Sequence, residues 1–300
     1  VTTSEAHDWQ PDWAPEGNRL VFRSERDGGG LFVTPVLGGK ERKISSFGYH
    51  PRWSPDGTRI LFYSAALHGD TMETPKVYVV TLDGQPPREV MADFLRQFGF
   101  FRVAWRPDSR NLSLWGWSRK DKWRFLTLPL DGGAPVKSEI DPRVEEQIRE
   151  AAVNFSDFLW APSGQTLYFK GTSQSVKNLW KVEVDPQSLR WTGGPERLTT
   201  GAGPDTDLAI SPDGRKLAFT ARAEQTRVWS LPFDSSSGRI KGEGRPLTAA
   251  GVKAVYPNLS PDGQRLSFPT RRAGKWELWE KSLKNGRETL LGSDELSRTM

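Results

Sequence analysis

One five-residue pattern returns six times along the chain, and it limits the fold more than any other feature. It reads Trp13-Ala-Pro-Glu-Gly17, Trp53-Ser-Pro-Asp-Gly57, Trp105-Arg-Pro-Asp-Ser109, Trp160-Ala-Pro-Ser-Gly164, Ile210-Ser-Pro-Asp-Gly214 and Leu259-Ser-Pro-Asp-Gly263. Its last positions are spaced by 40, 52, 55, 50 and 49 residues, a period typical of propeller and solenoid repeats. The Pro pre-sets the first central residue of a tight turn. The Asp can accept from the backbone ahead, and the Gly admits a positive φ.

Strand-like runs flank each turn. An L-x-F-type run follows it at 20–22, 60–62, 112–114, 167–169, 217–219 and 266–268, so Trp, turn and L-x-F read as a β-hairpin. A third run follows at 31–33, 77–79, 125–127, 179–181, 228–230 and 278–280. A fourth, more charged, closes each unit at 42–44, 88–90, 136–138, 197–199, 246–248 and 288–290. Charge on an outermost strand discourages edge-to-edge pairing. Four antiparallel strands repeated six times predict an all-β, six-bladed β-propeller spanning 1–300. The repeat units run approximately 4–45, 46–91, 92–139, 153–200, 201–249 and 250–292. Closing the ring would bury the apolar faces of neighbouring sheets against each other. Period-2 alternation excludes a helical solenoid. One short helix is expected in an insertion at 141–152: Asp141 caps, Pro142 opens the first turn, and Val144, Ile148 and Ala152 share a face.

Composition narrows the function. The 36% hydrophobic content, with 13 Trp, 15 Phe and 5 Tyr, can build a core. The net charge of +5 is mild and basic and acidic residues interleave, so nucleic acid is not an expected partner. Without Cys there is no disulfide scaffold, thiolate metal site or Cys nucleophile. No run of eighteen apolar residues spans a bilayer. The chain opens at Val1 without a basic-then-apolar leader, which reads as a mature protein or an excised domain.

The W-S-P-D-G-x-x-L-x-F pattern, with its downstream Ile/Leu-Trp/Tyr strand, resembles the WD40-like (PD40) repeat of TolB-like β-propellers. The resemblance covers nearly the whole chain. It is sharp in units two, five and six, and degraded in unit three (Arg-Pro-Asp-Ser) and unit four (Ala-Pro-Ser-Gly). It implies a repeat protein that binds a protein or peptide partner, or a small ligand. It also implies a periplasmic or extracytoplasmic location, with the cytoplasm as the alternative. The run from Asn178-Leu-Trp180 to Leu198-Thr-Thr200 further resembles the sensor propellers of bacterial Ser/Thr kinases or winged-helix regulators. Val1-Thr-Thr3 stands in register with Leu198-Thr-Thr200. Two readings stay open: Val1 to Thr3 completes the last blade and latches the ring shut, or the chain is cut from a longer protein; the expectation is a six-bladed domain of a longer parent, with a truncated seven-bladed ring as the alternative.

Propeller geometry nominates a site. Seven residues before each turn's last position stand Gln10, His50, Arg102, Asp157, Asp207 and Tyr256. The next positions, Pro11, Pro51, Val103, Phe158, Leu208 and Pro257, are apolar. This switch predicts a polar ring at a channel mouth above a packed layer, or simply a solvated rim. Arg102 is a candidate anion contact. Asp157 and Asp207 could share a cation such as calcium, but two carboxylates fall short of its 6–8 oxygens, so no metal or cofactor is assigned. A second cluster is Phe100, Phe101, Trp115, Trp117, Arg119 and Lys120, with Lys122, Trp123, Phe94 and Phe98 nearby. Indoles beside cations suit sugar rings, peptides or bases; alternatively the rings pack between blades.

No catalytic motif stands out. There is no G-x-S-x-G elbow and no H-E-x-x-H. His7, His50 and His68 are too scattered for a metal site. Gly28-Gly-Gly30 reads as a loop between strands two and three, not a phosphate cradle. The expectation is a non-catalytic binding or sensing propeller, presenting its loop face and channel mouth. One alternative is a metal-dependent lactonase-like hydrolase using Gln10, His50, Asp157, Asp207 and calcium. Another is the gating propeller of a prolyl-oligopeptidase-like peptidase.

Overall fold

All six repeated turns close the same way. The N–H of Gly17, Gly57, Ser109, Gly164, Gly214 and Gly263 donates to the carbonyl three residues back, at 2.8–3.1 Å. These residues take φ between 57° and 75°, the left-handed region that Gly enters without a Cβ penalty. The Asp then accepts the N–H two residues on: Thr58, Arg110, Arg215 and Gln264 donate to Asp56, Asp108, Asp213 and Asp262 at 2.9–3.0 Å. Ser109 is the one non-Gly at the last position, and its use is visible. Its Oγ accepts the N–H of Asp56 at 2.9 Å from the preceding repeat, and its carbonyl accepts from Arg59.

The computed structural model describes residues 2, 4–67, 74–174, 176–201, 204–222, 226–249, 252–272 and 275–294. His68, Val1 and Thr3, on which sequence expectations fell, lie outside them. The chain divides into two compact units, Val1–Ser173 with Lys177–Ala221, and Arg222–Met300 with Gln174–Val176.

In the first unit the expected hairpins and outer strands assemble into antiparallel meanders, each in chain order. The first is β1 (Asp8–Trp13), β2 (Arg19–Ser24), β3 (Gly30–Pro35) and β4 (Arg42–Ser45). The second is β5 (Tyr49–Trp53), β6 (Arg59–Tyr63), β7 (Val77–Thr81) and β8 (Arg88–Glu89). A single-turn helix, α1 (Ala92–Leu95), precedes the third: β9 (Phe100–Trp105), β10 (Asn111–Ser118), β11 (Lys122–Pro129) and β12 (Val136–Lys137). After α2 (Pro142–Glu150) comes the fourth: β13 (Asn154–Trp160), β14 (Thr166–Ser173), β15 (Val176–Val184) and β16 (Trp191–Arg197). A two-stranded pair, β17 (Asp205–Ile210) with β18 (Leu217–Ala221), follows. Gly28 ends a 3-10 turn and Gly30 begins β3, so the run connects the second and third strands of the first sheet.

Successive sheets bury their faces against each other. One core lies between sheets one and two, around Val21, Leu31, Trp53 and Phe62. The next joins sheets two and three, around Leu61, Val79, Phe101, Trp105 and Leu114. The third joins sheets three and four around Phe125, Trp160, Phe169 and Trp191, and takes in Val144 of α2. Trp53, Trp105 and Trp160 of the repeated motif are each buried. Over each lies an arginine of the preceding repeat: Arg19 over Trp53 at 4.9 Å, Arg59 over Trp105 at 5.4 Å and Arg106 over Trp160 at 4.8 Å. Partly desolvated cation–π contacts of this kind contribute about 1 kcal/mol each.

The second unit holds a short outer hairpin built from β19 (Trp229–Ser230), β20 (Phe233–Asp234), β21 (Arg239–Ile240) and β22 (Arg245–Pro246). Here β19 pairs with β22 and β20 with β21. It also holds a four-stranded meander of β23 (Asn258–Leu259), β24 (Arg265–Arg272), β25 (Lys275–Ser282) and β26 (Glu288–Asp294). Its core gathers Val228, Ala254, Leu266 and Phe268.

Two expectations need correction. In the fifth repeat the four segments form two-stranded pairs, not one sheet. Leu231 and Pro232 interrupt the outer hairpin, because Pro has no N–H to give to a ladder. In the insertion, α2 is capped by Asp141 accepting from Arg143 N–H at 3.0 Å, but it stops at Glu150. Ala152 takes φ 46° and is exposed, while Ala151 packs on the core with Ile148.

Candidate functional site

The first strand of a repeat carries a register break at the nominated position. Pairing of β1 with β2 skips between Trp9 and Asp12. That of β5 with β6 skips between Tyr49 and Arg52, and that of β17 with β18 between Thr206 and Ala209. Inside these bulges Gln10, His50 and Asp207 take φ of 54°, 52° and 54°; Tyr256, just ahead of β23, takes 47°. Side chains other than Gly rarely hold this backbone, which costs on the order of 1–3 kcal/mol. A bulge re-aims a side chain out of the regular alternation. Arg102 differs, because β9 pairs with β10 without a break and Arg102 stands opposite Trp115. In β13 the break falls between Phe155 and Asp157, leaving Asp157 in regular pairing with Lys170.

Gln10 and His50, 40 residues apart, are brought together. Gln10 Oε1 accepts the backbone N–H of His50 at 2.8 Å, and its Nε2 lies 3.2 Å from His50 Nε2. The Leu67 N–H is directed at the same ring nitrogen at 3.4 Å. These donors assign Nε2 as an acceptor, with the ring proton on Nδ1. The His50 ring meets the Tyr63 ring edge-on at 6.4 Å. Tyr63 in turn ties sheet two to sheet three: its hydroxyl accepts Val103 N–H at 2.8 Å and donates to Val103 O at 3.3 Å. Burial pushes the Tyr63 hydroxyl well above the usual tyrosine range, against the pull of its Val103 bond and of Arg102, while Asp157 adds to the rise.

Two residues beyond Gln10, Asp12 accepts the Trp53 N–H at 2.7 Å and pairs with Arg52 at 3.6 Å. Burial at the seam raises the Asp12 carboxyl above its ordinary value despite Arg52 and the Trp53 N–H. Asp12 and Arg52 escaped the sequence reading, although a polar residue two places after Gln10 and His50 was visible.

The remaining candidates fare differently. The Arg102 guanidinium folds back on its own strand, donating to Phe101 O at 2.9 Å and lying 4.4 Å over the Phe100 ring. Asp157 is paired with Lys170 at 2.9 Å, so its carboxylate already has a cationic partner. Asp207 is exposed and accepts from the Thr206 hydroxyl at 2.8 Å. Among the described residues no group of three or more His, Asp or Glu is arranged to hold a metal. In the second unit, Tyr256 is 83% exposed and borders an open hollow of about 460 Å³ with Pro269, Trp276, Glu277 and Leu278.

Strand alternation divides the aromatic–basic cluster. Phe100, Trp117 and Trp123 stand in one cross-strand row, and Arg102, Trp115 and Phe125 in the next, on the same sheet face. Phe101 points the other way and lies in the core at 2% exposure, together with buried Phe98 and partly buried Phe94. The rings do not all pack away, however. Trp123 is 47% exposed, stacked on Trp115 at 5.0 Å with an 8° tilt, and met edge-on by Phe100 at 5.7 Å. Trp115 continues to Phe155 of sheet four at 5.2 Å. Arg119 and Lys120 are exposed in the β10–β11 turn.

No protein-family model matches the chain. It is 25% identical over 213 residues to an uncharacterized protein of Agrobacterium fabrum, a match covering 70% of this chain and 64% of that protein. Among solved structures it is similar to TolB from Acinetobacter baumannii, at 16% identity and TM-score 0.49, over 98% of this chain and 56% of that one. It is also similar to the β-propeller domain of the Trilobed protease from Pyrococcus furiosus, at 14% identity and TM-score 0.42, over 96% and 85%. A third likeness is to the periplasmic gluconolactonase of Pseudomonas aeruginosa, at 16% identity and TM-score 0.40, over 91% and 80%. The chain thus spans less than two thirds of the Agrobacterium protein and of the Acinetobacter TolB. No helix among the described residues is long and apolar enough to cross a membrane.

Proposed function

We propose that the chain is a non-catalytic binding and sensing module, its six repeats serving as six propeller blades. The equivalent residues Gln10, His50, Arg102, Asp157, Asp207 and Tyr256 present the binding groups. One observation carries the reading: in four of the six repeats this position holds a residue other than Gly in a left-handed backbone. Gly would adopt that backbone without strain, so the side chains are kept for what they contact. In the first unit they offer an amide, an imidazole and a carboxylate, groups suited to hydrogen-bonding a polar partner, and in the second unit Tyr256 offers a phenol. A protein or peptide segment, or a small polar ligand, fits this chemistry. The sensor role within a longer signalling protein, and an extracytoplasmic setting, belong to the same proposal.

A thermal-shift screen of peptides and polar metabolites tests it. Ligands that raise the melting temperature of the wild-type chain should lose their effect in His50→Ala and Asp207→Ala. Hits unaffected by either change, or hydrolysis of a simple ester or lactone by the purified chain, would overturn it. Stoichiometric calcium in elemental analysis would favour the lactonase-like alternative instead. The Lys170–Asp157 pair argues against that outcome.

A further inference from the structure

We propose that the β10–β11 hairpin binds an acidic oligosaccharide, with a sugar ring stacked on Trp123 and the sugar's carboxylates or sulfates met by Arg119, Lys120 and Lys122. The proposal rests on the reading of the chain as a binding module and names a ligand class for one of its surfaces.

The geometry of Trp123 is that of a platform. One indole face is covered by Trp115, its edge is held by Phe100, and nearly half of the residue remains open to solvent. The support is rigid, because Trp115 is itself packed against Phe155. An indole held against a packed support and half open to solvent presents one ring face for stacking. An open indole face suits a ligand that is itself a disc with C–H groups on one side, as a pyranose is.

Charge specifies the rest. Arg119, Lys120 and Lys122 are exposed in the same hairpin, and among the described residues none has a carboxylate at ion-pair distance. The one acidic residue of the turn, Asp121, is taken by Arg124 and its N–H by Ser118 Oγ at 3.1 Å. Three exposed cations without an ion-pair partner among the described residues therefore share one hairpin with the exposed indole. A single-stranded nucleic acid would demand a succession of such platforms along a basic groove, whereas one ring flanked by cations matches one acidic sugar residue. The neighbouring Arg102, stacked on Phe100, extends the cationic face along the sheet.

The test is titration of the full chain with an oligogalacturonate, followed by tryptophan fluorescence and calorimetry. Maltoheptaose, oligoglutamate and single-stranded oligodeoxythymidylate serve as comparison probes. The proposal expects binding of the oligogalacturonate that weakens with salt, and weaker or no binding of the other three. Trp123→Ala should lower affinity about tenfold or more, as loss of one stacking contact does. The triple change Arg119→Ala, Lys120→Ala, Lys122→Ala replaces only exposed side chains, should keep the wild-type urea unfolding midpoint, and should lower affinity at least as much. Lys40→Ala, which removes an exposed cation from the β3–β4 connection of the first sheet, should leave oligogalacturonate binding unchanged. Equal binding of oligoglutamate, tighter binding of the oligonucleotide, or full affinity in the triple variant would overturn the sugar assignment while leaving the binding-module reading standing. Loss of binding in Gln10→Ala with retention in Trp123→Ala would also overturn it, and would move the ligand to the strand-one positions.

Discussion

Gln10 holds His50 by two atoms at once: its carbonyl oxygen takes the His50 backbone N–H at 2.8 Å and its amide nitrogen meets the imidazole at 3.2 Å. Both residues sit in left-handed backbone inside equivalent bulges of neighbouring sheets. The clamp therefore fixes one bulge against the other. Gln10→Ala should destabilise the chain by about 1–2 kcal/mol, the cost of leaving a partly buried N–H without its acceptor. Gln10→Glu keeps the acceptor and should recover part of this loss. Urea unfolding monitored by tryptophan fluorescence gives both values. Equal stability of all three proteins would show that the contact does no structural work.

Tyr63 is the corresponding tie between sheets two and three. Tyr63→Phe retains the ring in the core but strips Val103 N–H of its partner, and should cost about 1–3 kcal/mol. Hydrogen exchange at Val103 should accelerate in the variant. Unchanged exchange would mean that another group takes the N–H.

The Ser-Pro-Asp-Gly turns carry a pH signature. The Ser211 hydroxyl and the Arg215 N–H hold the Asp213 carboxyl below its ordinary value of 3.8; Ser260 and the Gln264 N–H do the same for Asp262. At Asp56 the cost of burial opposes the effect, and hydrogen bonds from Ser54 and Thr58 outweigh it. A carboxyl lowered on folding contributes stability that is present above its unfolded pKa and lost as pH falls through the folded one. Stability should therefore decline below about pH 4. Ser211→Ala should move the Asp213 titration upward toward the ordinary value, as read by carboxylate NMR. A downward or absent shift would contradict the hydrogen-bond account.

The turn arithmetic made most strands of the fold readable before any coordinates. Pro, Asp and Gly act through local backbone geometry, and local geometry is what a single sequence states. Even so, Ser109 looked like decay of the motif. Its hydroxyl proves to reach Asp56 N–H in the preceding repeat, a contact whose partner is 53 residues away. The polar position in strand one was legible as a register, but its left-handed backbone was not, since nothing in Gln, His, Asp or Tyr announces a bulge. Phe101 and Phe100 are adjacent in sequence and were grouped together; strand alternation sends one to the core and the other to the surface. Trp123 stood among its neighbours as one indole of several, and only the stacking on Trp115 sets it apart. The break in the fifth repeat's outer hairpin was signalled by Pro232 and went unread.

The claim on which the functional reading depends is that strand one holds strained backbone for the sake of its side chains. Unfolding free energies of Asp207→Gly and Tyr256→Gly test it most directly, because both side chains are exposed and little packing is lost. A glycine placed in ordinary strand backbone destabilises by roughly 0.5–1 kcal/mol. Here relief of the positive φ should reverse the sign, giving a gain of about 0.5–1 kcal/mol, larger for Tyr256 because Asp tolerates this region better. Loss of stability in both variants would contradict the account.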